Sequence, residues 1–161
     1  MGTDLPHARY YINETEYDFW NPQVNDQTGL EYNEYVFDDS VAPVFDRGLV
    51  ELWDGNDYDV DDALHLELAP GHTPGHCVGW IDSKGQRALL SGDSMHSPVQ
   101  VYEPGWNSGF CADGDASAAV RRSLLEAVVE SDAILMPAHF SAPHAFRVQP
   151  KGDCFQVIDA L

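Results

Sequence analysis

Imidazole and carboxylate side chains stand at three places where an apolar run gives way to a turn: Gly71-His72-Thr73-Pro74-Gly75-His76, Gly92-Asp93, and Pro137-Ala138-His139-Phe140. Neutral imidazole nitrogen and carboxylate oxygen are the atoms that hold borderline divalent cations such as Zn²⁺, and a catalytic site keeps one position open for water. His72, Asp93 and His139 supply those atoms. The chemistry the pattern points to is metal-assisted hydrolysis.

Positioning such groups requires strands that end where the ligands begin. Residues 64–69, 88–90 and 133–136 are apolar runs that lead into His72, Asp93 and His139, so three buried strands should each deliver one ligand at a turn. Glycine beside the first two candidates permits the sharp change of direction. Further along the chain, residues 9–13 and 49–53 read as strands and residues 14–20 as a helical turn stopped near Pro22. Residues 26–41, aromatic and acidic without a clean period, read as helix and loop. Residues 77–81 and 87–90 form a hairpin around Asp82-Ser83-Lys84-Gly85-Gln86. The strongest helix spans residues 115–131: Ala116, Val120, Leu124, Ala127 and Val128 recur on one face, Arg121, Arg122, Glu126 and Glu130 fall on the polar side, and Asp113 or Asp115 can cap the first turn. A closing hairpin joins residues 146–149 to 155–158.

Taken together, Gly71-His72-Thr73-Pro74-Gly75-His76, Ser91-Gly92-Asp93-Ser94-Met95-His96, Pro98-Val99-Gln100-Val101, Trp106-Asn107-Ser108 and Pro137-Ala138-His139-Phe140 resemble the C-terminal half of a metallo-β-lactamase-fold hydrolase. The resemblance lies in the branch that includes lactonase-like and organophosphate-hydrolase-like enzymes. It implies an α/β fold, half of an αββα sandwich with a mixed sheet and flanking helices, and a single partial domain over residues 1–161. It also implies Zn²⁺, two per complete site, with His72 on the first metal, Asp93 bridging both and acting as the catalytic carboxylate, and His139 on the second. His76 and His96 would lie behind the ligands or against the substrate. The implied activity is hydrolysis of a small-molecule ester, lactone or phosphoester by metal-bound hydroxide.

One part of the family pattern is missing. Complete members carry a His-x-His-x-Asp-His run, and the seven histidines here, at positions 7, 65, 72, 76, 96, 139 and 144, contain nothing like it. The chain is therefore expected to be a fragment, to bind zinc weakly and to hydrolyse little alone. A homodimer or a complementing N-terminal half would supply what is lacking; the alternative is a truncated or degenerate, non-catalytic family member that serves as a binding or assembly partner.

Other signals are weaker. Residues 54–62 are acidic, but Tyr58 stands at the fifth position and no glycine at the sixth, so the calcium-loop pattern fails. Asn13-Glu14-Thr15 is a formal glycosylation triplet at a strand end. Ser91 and Ser94 lack the Gly-x-Ser-x-Gly elbow of serine hydrolases. His65 alternates with apolar neighbours and reads as structural.

Composition bounds the partners. With 43% hydrophobic residues the 161-residue chain can build a sizeable core, and a formal net charge of −19, from 27 acidic against 8 basic residues, repels nucleic acid and anionic membrane. Cys77, Cys111 and Cys154, odd in number and without a close pair, give no disulfide framework and fit a reducing cytoplasm, and no apolar stretch approaches the about 20 residues needed to span a bilayer. Lys84 and Lys151 are the only lysines. Either the acidity simply keeps the surface soluble, or it is the adaptation of a halophilic organism, in which salt screens the self-repulsion of dense carboxylates. Under salt adaptation, withdrawing potassium chloride should lower the melting temperature; an unchanged or higher value rejects it.

Overall fold

A computed structural model describes residues 5, 7–25 and 35–160, arranged as two compact units, residues 1–55 and 56–161. In the first unit, strand β1 (Tyr10–Asn13) pairs in parallel with β2 (Val50–Trp53). Helix α1 (Glu14–Trp20) begins at once because the Asn13 side chain accepts a hydrogen bond from the Thr15 backbone N–H at 2.9 Å. Asn13 is buried, so the sequon asparagine is a helix cap. A π-helical turn (Phe37–Val41) runs into the short helix α2 (Ala42–Phe45), and Tyr17 packs against Phe37 and Phe45. Of the segment read as helix and loop, residues 26–34 lie outside the described residues.

The second unit is one mixed sheet of seven strands in chain order: β3 (Asp57–Asp59), β4 (Leu64–Leu68), β5 (Cys77–Ser83), β6 (Gln86–Leu90), β7 (Ile134–Met136), β8 (Phe146–Lys151) and β9 (Cys154–Ala160). Neighbours are antiparallel except β6 and β7, which are parallel. A parallel pair needs a crossover, and here it carries a 3₁₀ turn (Gly92–Ser94), the short helix α3 (Val99–Tyr102) and the long helix α4 (Gly114–Glu130).

The order of directions has one consequence for function. Because β4 and β6 both run opposite to β5, and β7 runs with β6, all three ligand-bearing strands point the same way. Their carboxyl ends share one edge of the sheet.

The core follows the two periodicities. Val78 and Trp80 of β5, Leu89 of β6, Leu135 of β7 and Phe146 and Val148 of β8 join Leu124, Leu125 and Val128 of α4 in one buried cluster. Asp113 caps α4, accepting from the Ala116 N–H at 2.9 Å.

Four details differ from the sequence reading. The acidic turn contains β3, which the pattern missed because only Tyr58 of its three residues is apolar; Asp59 opposite His65 bonds that ring at 2.6 Å. Strand β4 is half-buried throughout rather than buried. The β5–β6 turn is only Lys84-Gly85, both at positive φ, because Ser83 pairs with Gln86 and Asp82 with Arg87. Arg121 lies in the buried face of α4, not on its polar side.

Cys77, Cys111 and Cys154 form no disulfide among the described residues, and none of the described helices is long and apolar enough to cross a membrane.

Leu89 faces Leu135 in register, and both are fully buried. Leu89→Ala should cost about 2–5 kcal/mol in urea unfolding, the range for deletions in a packed core; a loss below about 1 kcal/mol would contradict the packing described.

Candidate metal centre

The turn after β4 folds back on itself. The Ala69 N–H donates to His76 O at 2.7 Å and the Gly71 N–H to Thr73 O at 3.0 Å, which leaves His72 at the tip. The loop is also stitched to the approach of α4, where the Ala112 N–H donates to His72 O and the Asp113 N–H to Gly71 O. Position 71 has φ +135°, and a Cβ there would lie 2.3 Å from the Ser117 backbone nitrogen. Only glycine fits.

After β6, the Ser91 N–H donates to Met136 O and extends the β6–β7 pairing by one step before the 3₁₀ turn that carries Asp93. His76 locks that turn: its Nδ1–H donates to Ala69 O at 3.1 Å, so its Nε2 is the acceptor of the Asp93 N–H at 3.0 Å. His139 follows β7 two residues beyond Pro137 and is half-exposed.

The structure brings these side chains together. Asp93 Oδ1 lies 2.8 Å from His139 Nε2, and Asp93 Oδ2 lies 3.4 Å from His72 Nε2. His96 completes the group: its ring centroid is 5.0 Å from that of His72 and 4.8 Å from that of His139, with which it stacks. Burial first, then the neighbouring His72, lowers the His96 pKa below the ordinary histidine value. Its imidazole is neutral at neutral pH, as a ligand must be.

The donor set fits a divalent cation. Ligand atoms on adjacent corners of a tetrahedral zinc site are separated by about 3.4 Å, given metal–ligand bonds near 2.0–2.1 Å, and the His72–Asp93 pair has that separation. The Nδ1 atoms of His72 and His96 are buried without a hydrogen-bond partner. On His72 this is not the nitrogen that faces Asp93, which is Nε2.

Residues 4–139 match the family profile described as the metallo-β-lactamase superfamily. The chain belongs to that superfamily. Among solved structures its fold is similar to the hydrolase AbOPH of the β-lactamase superfamily (TM-score 0.83, 20% identity, 95% of this chain and 55% of that one). It is also similar to AidC, a dizinc quorum-quenching lactonase (0.73, 23%, 95% and 55%), and to an N-acyl homoserine lactone hydrolase (0.59, 18%, 84% and 51%). The chain thus spans about half the length of each of these proteins. Sequence comparison with curated proteins returns no match.

Two residues of this metallo-β-lactamase-fold chain carry the site without having been singled out by its sequence. Gln100 is buried and its Oε1 accepts from the His96 and Ser97 N–H groups at 2.6 and 3.1 Å, while its Nε2 donates to Trp106 O. Arg121 is fully buried, and its guanidinium donates to Ser94 O, Pro104 O, Trp106 O, Asn107 Oδ1 and Ser117 Oγ, all neutral oxygens. It ties the turn after Asp93 to the 104–107 loop. A usable signal did exist: residues 117, 121, 124, 125 and 128 share one helical face, so an arginine at 121 had to be buried with its partners.

Replacing Arg121 by Met would strand several buried carbonyl oxygens at once. The expected loss is on the order of 3 kcal/mol or more, read by chemical unfolding, and Arg121→Lys should recover little of it because an ammonium cannot span the fork. Full stability of the lysine variant would remove the claim.

Proposed function

We propose that the Asp93 centre is that of a metal-dependent hydrolase acting on an ester, lactone or phosphoester, with Zn²⁺ as cofactor. The observation that carries this reading is the placement of one imidazole on each oxygen of a single carboxylate, His72 on Oδ2 and His139 on Oδ1, as expected for a carboxylate shared between two cations. A bound divalent cation supplies Lewis acidity and lowers the pKa of water toward neutrality.

The chain's own groups do the rest. Asp93, held by His76 through its backbone N–H, offers the anionic oxygens; His72, after β4, and His139, after β7, offer lone pairs from the same edge of the sheet. Phe110 and Trp106 stand exposed, Phe110 with its ring 6.2 Å from that of His96, and suit an apolar part of a small substrate. That AidC is a dizinc lactonase supports the lactone option.

The absence of a His-x-His-x-Asp-His run within these 161 residues limits the donors available. We therefore read a full two-cation site as completed by further donors, from a second copy or a complementing N-terminal half, in a cytoplasmic assembly. A non-catalytic assembly role is the second reading, favoured by the same missing run.

Asp93→Ala in a zinc-competent assembly should abolish turnover of ester, lactone and phosphoester test substrates and sharply lower bound zinc, with an unchanged circular dichroism spectrum. Wild-type turnover and metal content in that variant would falsify the assignment. For the chain alone, zinc binding should be weaker than micromolar by calorimetry.

A further inference from the structure

We infer that Gln100 is a positioning residue of the Asp93 centre: through one side-chain amide it sets the ring of His96 beside the centre, on the surface a substrate meets. This rests on the reading of that centre as the site of a hydrolase.

The hold is one of hydrogen-bond chemistry. Gln100 is buried on α3, next to Val101, whose burial in the main cluster anchors that short helix. Its Oε1 accepts from the backbone N–H groups of His96 and Ser97 at 2.6 and 3.1 Å, and its Nε2 donates to Trp106 O at 2.9 Å. Among side chains of that length only the amide accepts at one end and donates at the other: an ionised carboxylate accepts alone, and a thioether donates nothing. Burying such a group is costly unless its hydrogen bonds are made.

Residues 94 to 97 are thereby pinned from both sides. Arg121 Nε donates to Ser94 O at 2.8 Å, Met95 is fully buried, and Gln100 takes the two N–H groups that follow. With the backbone fixed at those points, the direction in which the His96 side chain leaves it is fixed too. The ring then lies 5.0 Å from that of His72, 4.8 Å from that of His139 and 6.2 Å from that of the exposed Phe110. It adjoins both imidazoles that face Asp93 and the aromatic ring suited to an apolar part of a substrate, so a displaced residue 96 changes the wall against which a substrate is oriented. A misplacement of about 1 Å is enough to cost on the order of 100-fold in rate.

Nuclear magnetic resonance of the full chain, with no metal added, tests the link from Gln100 to His96. The His139 ring stacks on that of His96 at an interplanar angle of 13°, so its ring protons report where the His96 ring lies. Gln100→Met should shift those protons, whereas Gln100→Glu, which keeps the acceptor for the His96 and Ser97 N–H groups, should leave them near their wild-type positions. Kinetics of a zinc-competent assembly test the link from His96 to the reaction. Gln100→Met should lower kcat/KM for the test substrates by roughly 10–100-fold, the usual effect of losing an outer partner, and should cost nothing further in a His96→Ala background, since a residue that acts through His96 has nothing left there to act on. Should the methionine variant unfold by circular dichroism, Gln100→Asn, with the same groups on a stem one carbon shorter, takes its place. If the His139 ring protons stay in place in Gln100→Met, if Gln100→Glu shifts them as far, or if the losses from Gln100→Met and His96→Ala add, this inference fails and the hydrolase reading stands. If the wild-type assembly turns over none of the test substrates, the hydrolase reading fails, and the ring protons alone decide the positioning role.

Discussion

The bond from the Asp93 N–H to His76 Nε2 joins the two turns that carry His72 and the carboxylate. His76 belongs to the loop after β4, where its other nitrogen donates to Ala69 O, while Asp93 belongs to the turn after β6. One imidazole therefore fixes the spacing between the loop that carries His72 and the turn that carries the carboxylate. The tautomer follows from its two partners, since a backbone carbonyl can only accept and a backbone N–H can only donate. Without that bridge, the 3.4 Å separation of His72 from Asp93 would rest on ties that hold each turn separately, from Ala112 and Asp113 to the first and from Met136 and Arg121 to the second.

Strand direction makes the bridge possible. With β4, β6 and β7 all running toward one edge, three side chains separated by 21 to 67 positions in sequence arrive at one place. Ends of parallel strands commonly hold ligands, because loops there converge while the sheet stays rigid behind them. Here the rigid part is the cluster of Leu89, Leu135, Trp80 and the apolar face of α4.

Behind the edge lies a buried cation with only neutral partners. Desolvating a guanidinium is costly, and Arg121 recovers that cost through hydrogen bonds to oxygens from four different residues of the 94–107 segment and one of its own helix. Its fork geometry holds Ser94 beside Asp93 and pins the loop that carries the exposed Trp106. Around this positive centre the chain is strongly acidic, with a net charge of −19, and such a field raises the local concentration of divalent cations as it repels polyanions.

The sequence by itself was sufficient for α4, most of the strands, and His72, Asp93 and His139 as neighbours, because apolar periodicity and turn residues are local signals and the ligand motifs sit at strand ends. It did not reveal β3, whose pairing with β4 depends on cross-strand register rather than on its own acidic residues. Nor did it reveal the two-residue turn at Lys84-Gly85 or the burial of Arg121, since charge on a helix reads as solvent-facing until its partners are known. Only the tertiary structure separated the histidines by what each nitrogen touches: His76 holding a backbone N–H, and His72 and His139 each set against one oxygen of the Asp93 carboxylate, with the His96 ring beside both. Residue type sets which atoms can bind a cation, whereas distances of a few ångströms between remote strand ends decide which of them are free to do so.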